Sequence, residues 1–329
     1  MKNTSAGIGL YLSTCGVAAA AALSTPACGD GEVVCWGRNE FGQCTVPADI
    51  GRVIRIASGY GHSAAIRADG TLACWGANGD GQCVIPADLG NVRDVCLGGD
   101  FTVALRVDGT VRAWGNNAYG QINVPPLSSV TEISSGSNFS IALGANGTVV
   151  AWGRNNYSQT NVPAGLSGVR QISAGYYHAT ALRADGTIAA WGRSWFGAGS
   201  APSGANGVVQ VAAGGVHNIG LKSDGSVFCW GGNNYGQSAV PVGLAPAKQV
   251  AAGDSYSVVL HVDGNVTYWG TCVYGQCSTP GGLGSISRVD ARYNHTMAIG
   301  SACVADLNND SIVNGADLGV LLGSWGPCN

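Results

Sequence analysis

The chain has 329 residues, of which 46% are apolar and only 11% are charged, so it can bury a large core but has little charge to solvate a helical surface. The formal net charge of −3 gives no electrostatic basis for binding nucleic acid, which depends on clustered lysine and arginine. The repeat region has no apolar run of about 18 residues, which excludes a membrane-spanning helix there.

Residues 1–27 have the features of a secretory signal peptide. Lys2 supplies a short positive region, residues 8–23 are apolar and rich in alanine, and Thr25-Pro26-Ala27 is a small-residue cleavage site. A helical or disordered N-terminal extension is the alternative. The 12 cysteines independently favour export, because cytosolic proteins rarely carry so many. We therefore expect a protein that is secreted or at the cell surface by bacterial-type export, with lipidation of Cys28 as a further alternative.

Two markers recur in phase along the chain at a step of 39 residues, once shortened to 38. The first is a Trp-Gly pair, at Trp36, Trp75, Trp114, Trp152, Trp191, Trp230 and Trp269. The second is an Asp-Gly or Asn-Gly turn, whose glycines are Gly31, Gly70, Gly109, Gly147, Gly186, Gly225 and Gly264. Two markers in phase over seven units indicate a repeat architecture, in which each unit has the same local fold.

A single unit is visible in residues 53–86. Strand A is predicted over 53–57, strand B over 62–67 and strand C over 71–75, and Asp69-Gly70 makes the two-residue turn between B and C. A loop over 76–82 leads to a short strand D, which Pro86 ends because proline cannot donate to a sheet ladder. Four antiparallel strands in such a unit form one blade of a propeller.

The two ends of the repeat region complement each other. The chain enters at a strand C (32–35) with no A or B before it, and leaves after a strand B (295–299) with no C or D following. Joined, the halves form one mixed blade and pair the two edges that an open array would expose. The sequence therefore predicts an all-β fold, a seven-bladed β-propeller of 39-residue repeats over residues 28–301.

The pattern AWGxNxxGQxxVPxxLxGVxxIxAGxxHxxAL resembles the repeats of the regulator of chromosome condensation superfamily, over Gly31 to Gly300. The short period is most similar to a secreted bacterial member, beta-lactamase inhibitory protein II. The resemblance implies a propeller. It does not fix a function, because propellers of one repeat type serve unrelated tasks. The eukaryotic branch acts as a guanine-nucleotide exchange factor on chromatin, and this chain departs from it in its shorter repeats and its lack of basic tails.

Histidine and tryptophan recur at fixed positions of the repeat. His62, His178, His217 and His295 follow strand A at one spacing, which invites a catalytic or metal ring, but Phe101, Phe139 and Tyr256 occupy that position in the other units. Because aromatic residues substitute there, we expect a packing or ring-lining role. The repeated tryptophans are expected to seal the gaps between blades. No nucleophile, base and orienting group form a recognisable set, so we expect a protein that is not an enzyme.

Other aromatic residues fall in the loops. Strands A and C run the same way in a meander, so the A–B and C–D loops emerge on one face. This face is charge-poor and rich in aromatic residues, as protein-binding surfaces are. The candidate partner-binding residues are Phe41, Tyr60, Tyr119, Tyr157, Tyr176, Tyr177, Trp195, Phe196, Tyr235, Tyr274 and Tyr293. The alternative is that the C–D ring residues pack within each blade.

Two cysteine pairs have the same placement around their tryptophans, Cys35 with Cys44 and Cys74 with Cys83. This placement puts each pair opposite one another across two strands and predicts disulfides. Cys272 and Cys277 are candidates for a shorter loop, and Cys303 for pairing with Cys328 or with Cys28. Cys96 and Cys229 have no obvious partner in the sequence.

The last 28 residues, 302–329, break the propeller pattern and are predicted to form a calcium loop followed by a short helix. Oxygen ligands fall at the spacing of such a loop, and they are Asp306, Asn308, Asp310, the Ile312 carbonyl, Asn314 and Asp317. The segment resembles one half of a dockerin module. It has Ser311 instead of glycine at the sixth loop position, and the second half is missing. An Asx-rich turn and helix without calcium is the alternative.

These features predict a secreted, non-enzymatic propeller that binds a protein partner through the aromatic loops of one face. A carbohydrate-binding or polysaccharide-processing component is an alternative, because aromatic residues also stack on sugars. A beta-lactamase inhibitor and a purely structural surface module are further alternatives. The sequence does not identify the partner.

Overall fold

The computed structural model describes residues 31–280, 283 and 285–300. The predicted signal peptide, Cys28, Cys303, Cys328 and the predicted calcium-loop tail lie outside these residues. In chain order the strands are β1 (Val33–Gly37), β2 (Val53–Ser58), β3 (His62–Arg67), β4 (Leu72–Gly76), β5 (Val92–Leu97), β6 (Phe101–Arg106), β7 (Val111–Gly115), β8 (Val130–Ser135), β9 (Phe139–Gly144), β10 (Val149–Gly153), β11 (Val169–Ala174), β12 (His178–Arg183), β13 (Ile188–Gly192), β14 (Val208–Ala213), β15 (His217–Lys222), β16 (Val227–Gly231), β17 (Ala247–Ala252), β18 (Tyr256–His261), β19 (Val266–Gly270), β20 (Ile286–Arg292) and β21 (His295–Gly300). A short 3₁₀ turn spans Trp195–Gly197. No helix within the described ranges is long and apolar enough to cross a membrane.

The strands form seven antiparallel sheets of three strands each. Six are consecutive in the chain, and we number them blade 1 (β2 to β4) through blade 6 (β17 to β19). Blade 7 has the order β1-β21-β20, in which Val33 pairs with Ile299. Neighbouring innermost strands are in contact all the way round, including β20 with β2, so the sheets close into a ring. The predicted split blade is confirmed.

The predicted fourth strand of each blade is not formed in the described part of the chain. After β4, the backbone amides bond locally: Cys83 N donates to Asn78 Oδ1 at 2.9 Å and Val84 N donates to the Gly81 carbonyl at 2.9 Å. These donors are used within the loop and cannot extend a ladder. Pro86 has no donor at all. Each blade therefore has three strands and a turn-rich C–D loop.

The turns between strands B and C form because an Asp or Asn side chain accepts hydrogen bonds two residues ahead. At the first of these turns that the structure shows in full, Thr71 N and Thr71 Oγ1 donate to Asp69 Oδ1 at 2.9 and 2.7 Å. Gly70 has a φ of 85°, a region that favours glycine. These turns lie at the edge of the sheets opposite the A–B loops, which separates them from the candidate site.

The hydrophobic core lies between blades. One cluster joins Ile66 of blade 1 to Leu97 and Trp114 of blade 2, and the same arrangement recurs around the ring. Six tryptophans donate their indole N–H to the carbonyl of a glutamine in the preceding C–D loop, as Trp114 does to Gln82 at 2.9 Å. The expectation that tryptophans seal the gaps between blades is confirmed.

Among the described residues, three disulfides lie on or beside the C–D loops. Cys35–Cys44 and Cys74–Cys83 have Cα separations of 4.8 and 5.2 Å, and Cys272–Cys277 closes the shorter loop. All three pairings confirm the sequence prediction. Cys96 and Cys229 are free thiols. The disulfides indicate an extracellular or otherwise oxidising environment.

Candidate functional site: an aromatic loop face with half-buried arginines

The A–B and C–D loops of each blade are joined by a backbone hydrogen bond. Ala77 N donates to the Gly61 carbonyl at 2.7 Å, and Arg193 N donates to the Tyr177 carbonyl at 2.8 Å. Corresponding bonds recur in the other blades. The two sets of loops therefore share one edge of the ring, as the meander pattern predicts. We call this edge the aromatic face. Ten of the eleven candidate partner-binding residues have solvent-accessible or partly accessible side chains on it, the exception being Tyr293.

The rings on this face form a continuous chain. Its successive members are Phe41, Tyr60, Tyr293, Tyr176, Tyr177, Tyr157 and Trp195, with ring centroids 4.7 to 6.5 Å apart. The closest contact, 4.7 Å, joins Tyr293 of blade 7 to Tyr176 of blade 4. These blades are not neighbours, so the two tyrosines meet across the mouth of the central channel. Sequence periodicity does not reveal this contact, because it joins residues 117 positions apart.

The predicted residues differ in exposure. Trp195 and Phe196 are each 57% exposed, and Tyr235 is 62% exposed. Tyr293 is only 4% exposed, so it lies beneath the surface that a partner would touch. Its burial raises the pKa of its hydroxyl to about 12. Some aromatic residues of the C–D loops thus fit the packing interpretation and others fit partner binding. Tyr157 packs on neighbouring rings, whereas Tyr235 does not.

Blade 7 closes the channel beneath the aromatic face. Arg292 occupies the position at which the other six blades have glycine, and its guanidinium reaches across to the carbonyls of Ala174, at 2.8 Å, and Ser135. The Tyr293 hydroxyl donates to Ser137 Oγ at 3.2 Å, and the Tyr293 backbone carbonyl accepts from Asp254 N at 2.7 Å. Arg292 and Tyr293 thus support the aromatic face from below. The sequence signal for this role is that Arg292 replaces the glycine that the other six repeats have at this position.

Arginines lie against the rings at two places, which we call the first group (Arg38 with its rings) and the second group (Arg154 and Arg193 with theirs). In the first group, Arg38 Cζ is 5.2 to 5.6 Å from the ring centroids of Phe41, Tyr60 and Tyr274. Its guanidinium also donates to Glu40 Oε2, from Nη2 at 2.5 Å and from Nε at 3.1 Å. This bond raises the pKa of Arg38. The first group is therefore neutralised within the chain.

The second group contains two arginines. Arg154 Cζ is 4.7 Å from the Tyr119 centroid, and Arg193 Cζ is 4.2 Å from that of Tyr157. Both also lie over Tyr177, at 5.6 and 5.2 Å, and Arg193 packs on the Trp195 ring. Each Nε is buried and has no hydrogen-bond partner among the described residues. This group holds two cations in an aromatic setting without a carboxylate. The sequence analysis missed both arginines, although each directly follows a Trp-Gly pair.

The repeated histidines join blades. His62 Nε2 is 3.2 Å from Thr102 Oγ1 of the next blade, and Thr102 Oγ1 donates its single hydrogen to the Gln82 carbonyl at 2.8 Å. The hydroxyl must therefore accept from His62, which fixes the proton on Nε2. Burial lowers the pKa of His62 to about 4, so the ring is neutral. The packing role expected from the sequence is confirmed by the complete burial of all four histidines.

A ring of polar residues lines the channel beyond Arg292. It consists of the third residue of each innermost strand, namely Arg55, Asp94, Glu132, Gln171, Gln210, Gln249 and Arg288. Each glutamine bonds to the backbone of the next blade through both amide atoms, as Gln171 does with Val211. Burial raises the pKa of Glu132, at the equivalent position, to about 8. No group of three or more His, Cys, Asp or Glu side chains in the described chain is placed to hold a metal.

Comparisons with known proteins agree with this fold. The Regulator of chromosome condensation (RCC1) repeat matches residues 53–82, 92–121, 130–159, 169–197 and 208–237. The structure of Prp20p from Saccharomyces cerevisiae is similar, with a TM-score of 0.72 and 18% identity over 91% of this chain and 96% of that one. Human WBSCR16 gives a TM-score of 0.71 and 20% identity over 83% of this chain and 99% of that one.

A further similar structure is the ectodomain of the Physcomitrella patens receptor kinase CR4, with a TM-score of 0.61 and 24% identity over 73% of this chain and 68% of that one. No curated protein matches the chain by sequence. At these identities the structural likenesses establish the fold alone. Five segments of the chain thus match the RCC1 repeat, and the described strands form a closed ring of seven sheets, as in the similar propeller structures.

Proposed function

We propose that this chain is a secreted, non-enzymatic propeller that binds a protein partner through its aromatic face. The observation that carries the proposal is the continuous chain of rings on that face, which ends in the exposed side chain of Trp195. Tyrosine, tryptophan and arginine are the residues most enriched at the centres of protein interfaces. Here all three occur together on one rigid edge.

The structural relatives support a binding role. Prp20p of Saccharomyces cerevisiae is described with its binding to Gsp1p and histones, and in a complex with Kap60. Those partners belong to that protein. The three disulfides and the predicted signal peptide support secretion of this one.

The proposal is tested by capture of proteins from culture medium on three purified, immobilised propellers. One is wild type, one carries Trp195→Ala with Tyr119→Ala, and the matched control carries Val107→Ala with Val262→Ala. The two valines are 60% and 67% exposed and lie in turns at the opposite edge. We expect quantitative mass spectrometry to show proteins retained by wild type and by the control but lost from the aromatic-face variant. Equal retention by all three would refute the proposal.

The alternatives from the sequence are decided in parallel. A glycan array would show retention of polysaccharide if the face stacks on sugars. A hydrolysis assay with a class A beta-lactamase would show inhibition if the resemblance to beta-lactamase inhibitory protein II extends to function. Either result would assign a different partner class to the same face.

We also propose that the tail binds one calcium ion, on the spacing of its oxygen-bearing residues alone. Asp306 and Asp317 stand at the first and last loop positions. Calorimetry on the full chain should show heat with calcium, and Asp306→Ala should weaken the affinity while the melting temperature of the propeller stays unchanged. No heat at millimolar calcium would refute this assignment.

A further inference from the structure

Arg154 and Arg193 are cations without a counterion in the described chain. Their guanidinium carbons lie over the rings of Tyr119, Tyr157 and Tyr177, and no carboxylate oxygen of the described residues is within ion-pair distance of either. Both Nε atoms are buried and unpaired. A buried donor on a charged group without an acceptor is costly, and such groups are normally satisfied.

The first arginine group shows how this face satisfies such a cation. Arg38 lies over three rings, as Arg154 does, and donates to the carboxylate of Glu40, two residues further along the chain. The positions two residues after Arg154 and Arg193 hold Asn156 and Trp195, which carry no charge. The second group therefore places arginines over aromatic rings as the first group does, but it has no carboxylate equivalent to that of Glu40.

We propose that Arg154 and Arg193 receive one or more aspartate or glutamate side chains from an acidic segment of the protein partner. This inference rests on the proposed function and adds the chemistry of the partner. The two terminal Nη groups of a guanidinium form a fork that matches the two oxygens of a carboxylate, and neither arginine has a buried Nη without a partner. The apolar rings around the fork exclude water on partner binding and strengthen the pair.

The occupied ring faces favour a peptide carboxylate over an acidic polysaccharide. Stacking on sugar requires free flat faces, and guanidinium groups already lie over Tyr157, Tyr177 and Trp195. What the second group leaves available is its edge of terminal Nη–H donors, because only the Nε atoms are buried. Carboxylates on flexible side chains can approach such an edge from the solvent.

The test uses fluorescein-labelled hexaglutamate, with both ends capped, and hexaglutamine of the same design, titrated with the full chain in an anisotropy assay. We expect hexaglutamate to bind at least about ten-fold more tightly than hexaglutamine, which is the contribution of one or two charge-assisted hydrogen bonds. The variant Arg154→Gln with Arg193→Gln should reduce the ratio to about two-fold or less, as removal of the fork predicts. The matched control Arg38→Gln should leave it unchanged, because that arginine is already paired.

A second measurement locates the site directly. Nitrogen-15 spectra of the arginine Nε–H groups should show shifts of the Arg154 and Arg193 signals on addition of hexaglutamate and smaller shifts for Arg38. The variant Arg154→Lys with Arg193→Lys keeps the charge and the fold but not the fork, and it should retain only part of the ratio. Equal binding of the two peptides, or an unchanged ratio in the double glutamine variant, would overturn the proposal. Shifts that are larger with a galacturonate hexamer would overturn it in favour of an acidic polysaccharide.

The two proposals fail separately. If the aromatic-face variant loses the captured proteins while the double glutamine variant retains them, protein binding stands and the carboxylate assignment falls. If both variants retain them, both proposals fall.

Discussion

Six of the seven C–D loops are built alike, and the loop over residues 193–199 differs from them. Each regular loop contains a buried glutamine whose Oε1 accepts a backbone N–H two residues earlier, as Gln121 accepts Tyr119 N at 2.8 Å. In the differing loop Ala198 replaces the glutamine and the chain makes a 3₁₀ turn, with Phe196 at a φ of 55°. This loop carries the exposed Trp195.

The difference extends to the next blade. Trp230 is less buried than the other repeated tryptophans and its indole N–H has no partner among the described residues, whereas Trp75 donates to the Gln43 carbonyl at 2.9 Å. The other bond to this loop carbonyl is kept: Asn218 donates to the Ala198 carbonyl at 3.1 Å, as Ser63 does to the Gln43 carbonyl at 2.8 Å. One loop therefore lacks the glutamine contacts that hold the others, and this loop carries the exposed candidate binding residues Trp195 and Phe196.

The largest expected effect concerns the buried histidines that join four of the seven blades, which lie away from the loops that differ. Burial lowers the pKa of His217 to about 3, so the unfolded chain binds a proton more readily than the folded one below the ordinary value of 6.5. The histidine contribution to the free energy of unfolding should therefore decline as the pH falls from 6.5 towards 3. Urea denaturation across this range should show a smaller decline in His217→Phe, since phenylalanine fills this position at Phe101 and Phe139. The same decline in wild type and variant would show that the buried His217 does not contribute to the pH dependence.

The next effect tests whether the glutamine holds the regular loops. Gln121→Ala removes the bond from Tyr119 N and the bond to Asn116 Oδ1 and leaves a cavity. We expect a loss of about 2 to 3 kcal/mol of unfolding free energy. Asn123→Ala in the same loop removes only an exposed bond and should cost less than about 1 kcal/mol. Denaturation midpoints that are equal for the two variants would show that the buried glutamine is dispensable.

A smaller effect compares tryptophans. Trp75→Phe removes an indole bond to Gln43, whereas Trp230→Phe removes no such bond. Trp75→Phe should therefore be more destabilising by about 1 kcal/mol. Thermal melts of the two single variants give this difference. An equal cost at both positions would indicate that packing of the ring alone matters.

The smallest effect is expected at the differing loop. Trp195→Ala removes an exposed side chain and should change the unfolding free energy by no more than about 0.5 kcal/mol. The measurement is urea denaturation beside Gln121→Ala. A loss as large as that of Gln121→Ala would mean that Trp195 stabilises the fold, and the distinction between the loops would not hold.

Periodicity was enough to predict the seven units, the split blade, the paired cysteines and the packing of the histidines, because each depends on positions that repeat at one step. It failed for strand D, where side chains of Asn78 and Gln82 take the backbone donors that a ladder needs. It also failed for Arg292, whose partner Ser135 is 157 residues away, and for the half-buried Arg154. Contacts across the ring depend on closure, which no local pattern records.

The split blade also determines how the ring responds to force. Gly31 N donates to the Gly300 carbonyl at 3.3 Å and Gly300 N donates to the Glu32 carbonyl at 2.9 Å, so residues 31 and 300 lie side by side. Tension that pulls these two residues apart would act on the end of the β1–β21 ladder and break its bonds one after another, starting at Val33 and Ile299. Such peeling needs far less force than sliding two strands past each other, where all bonds share the load. The ring is therefore closed most weakly against pulling at the place where its two chain segments meet.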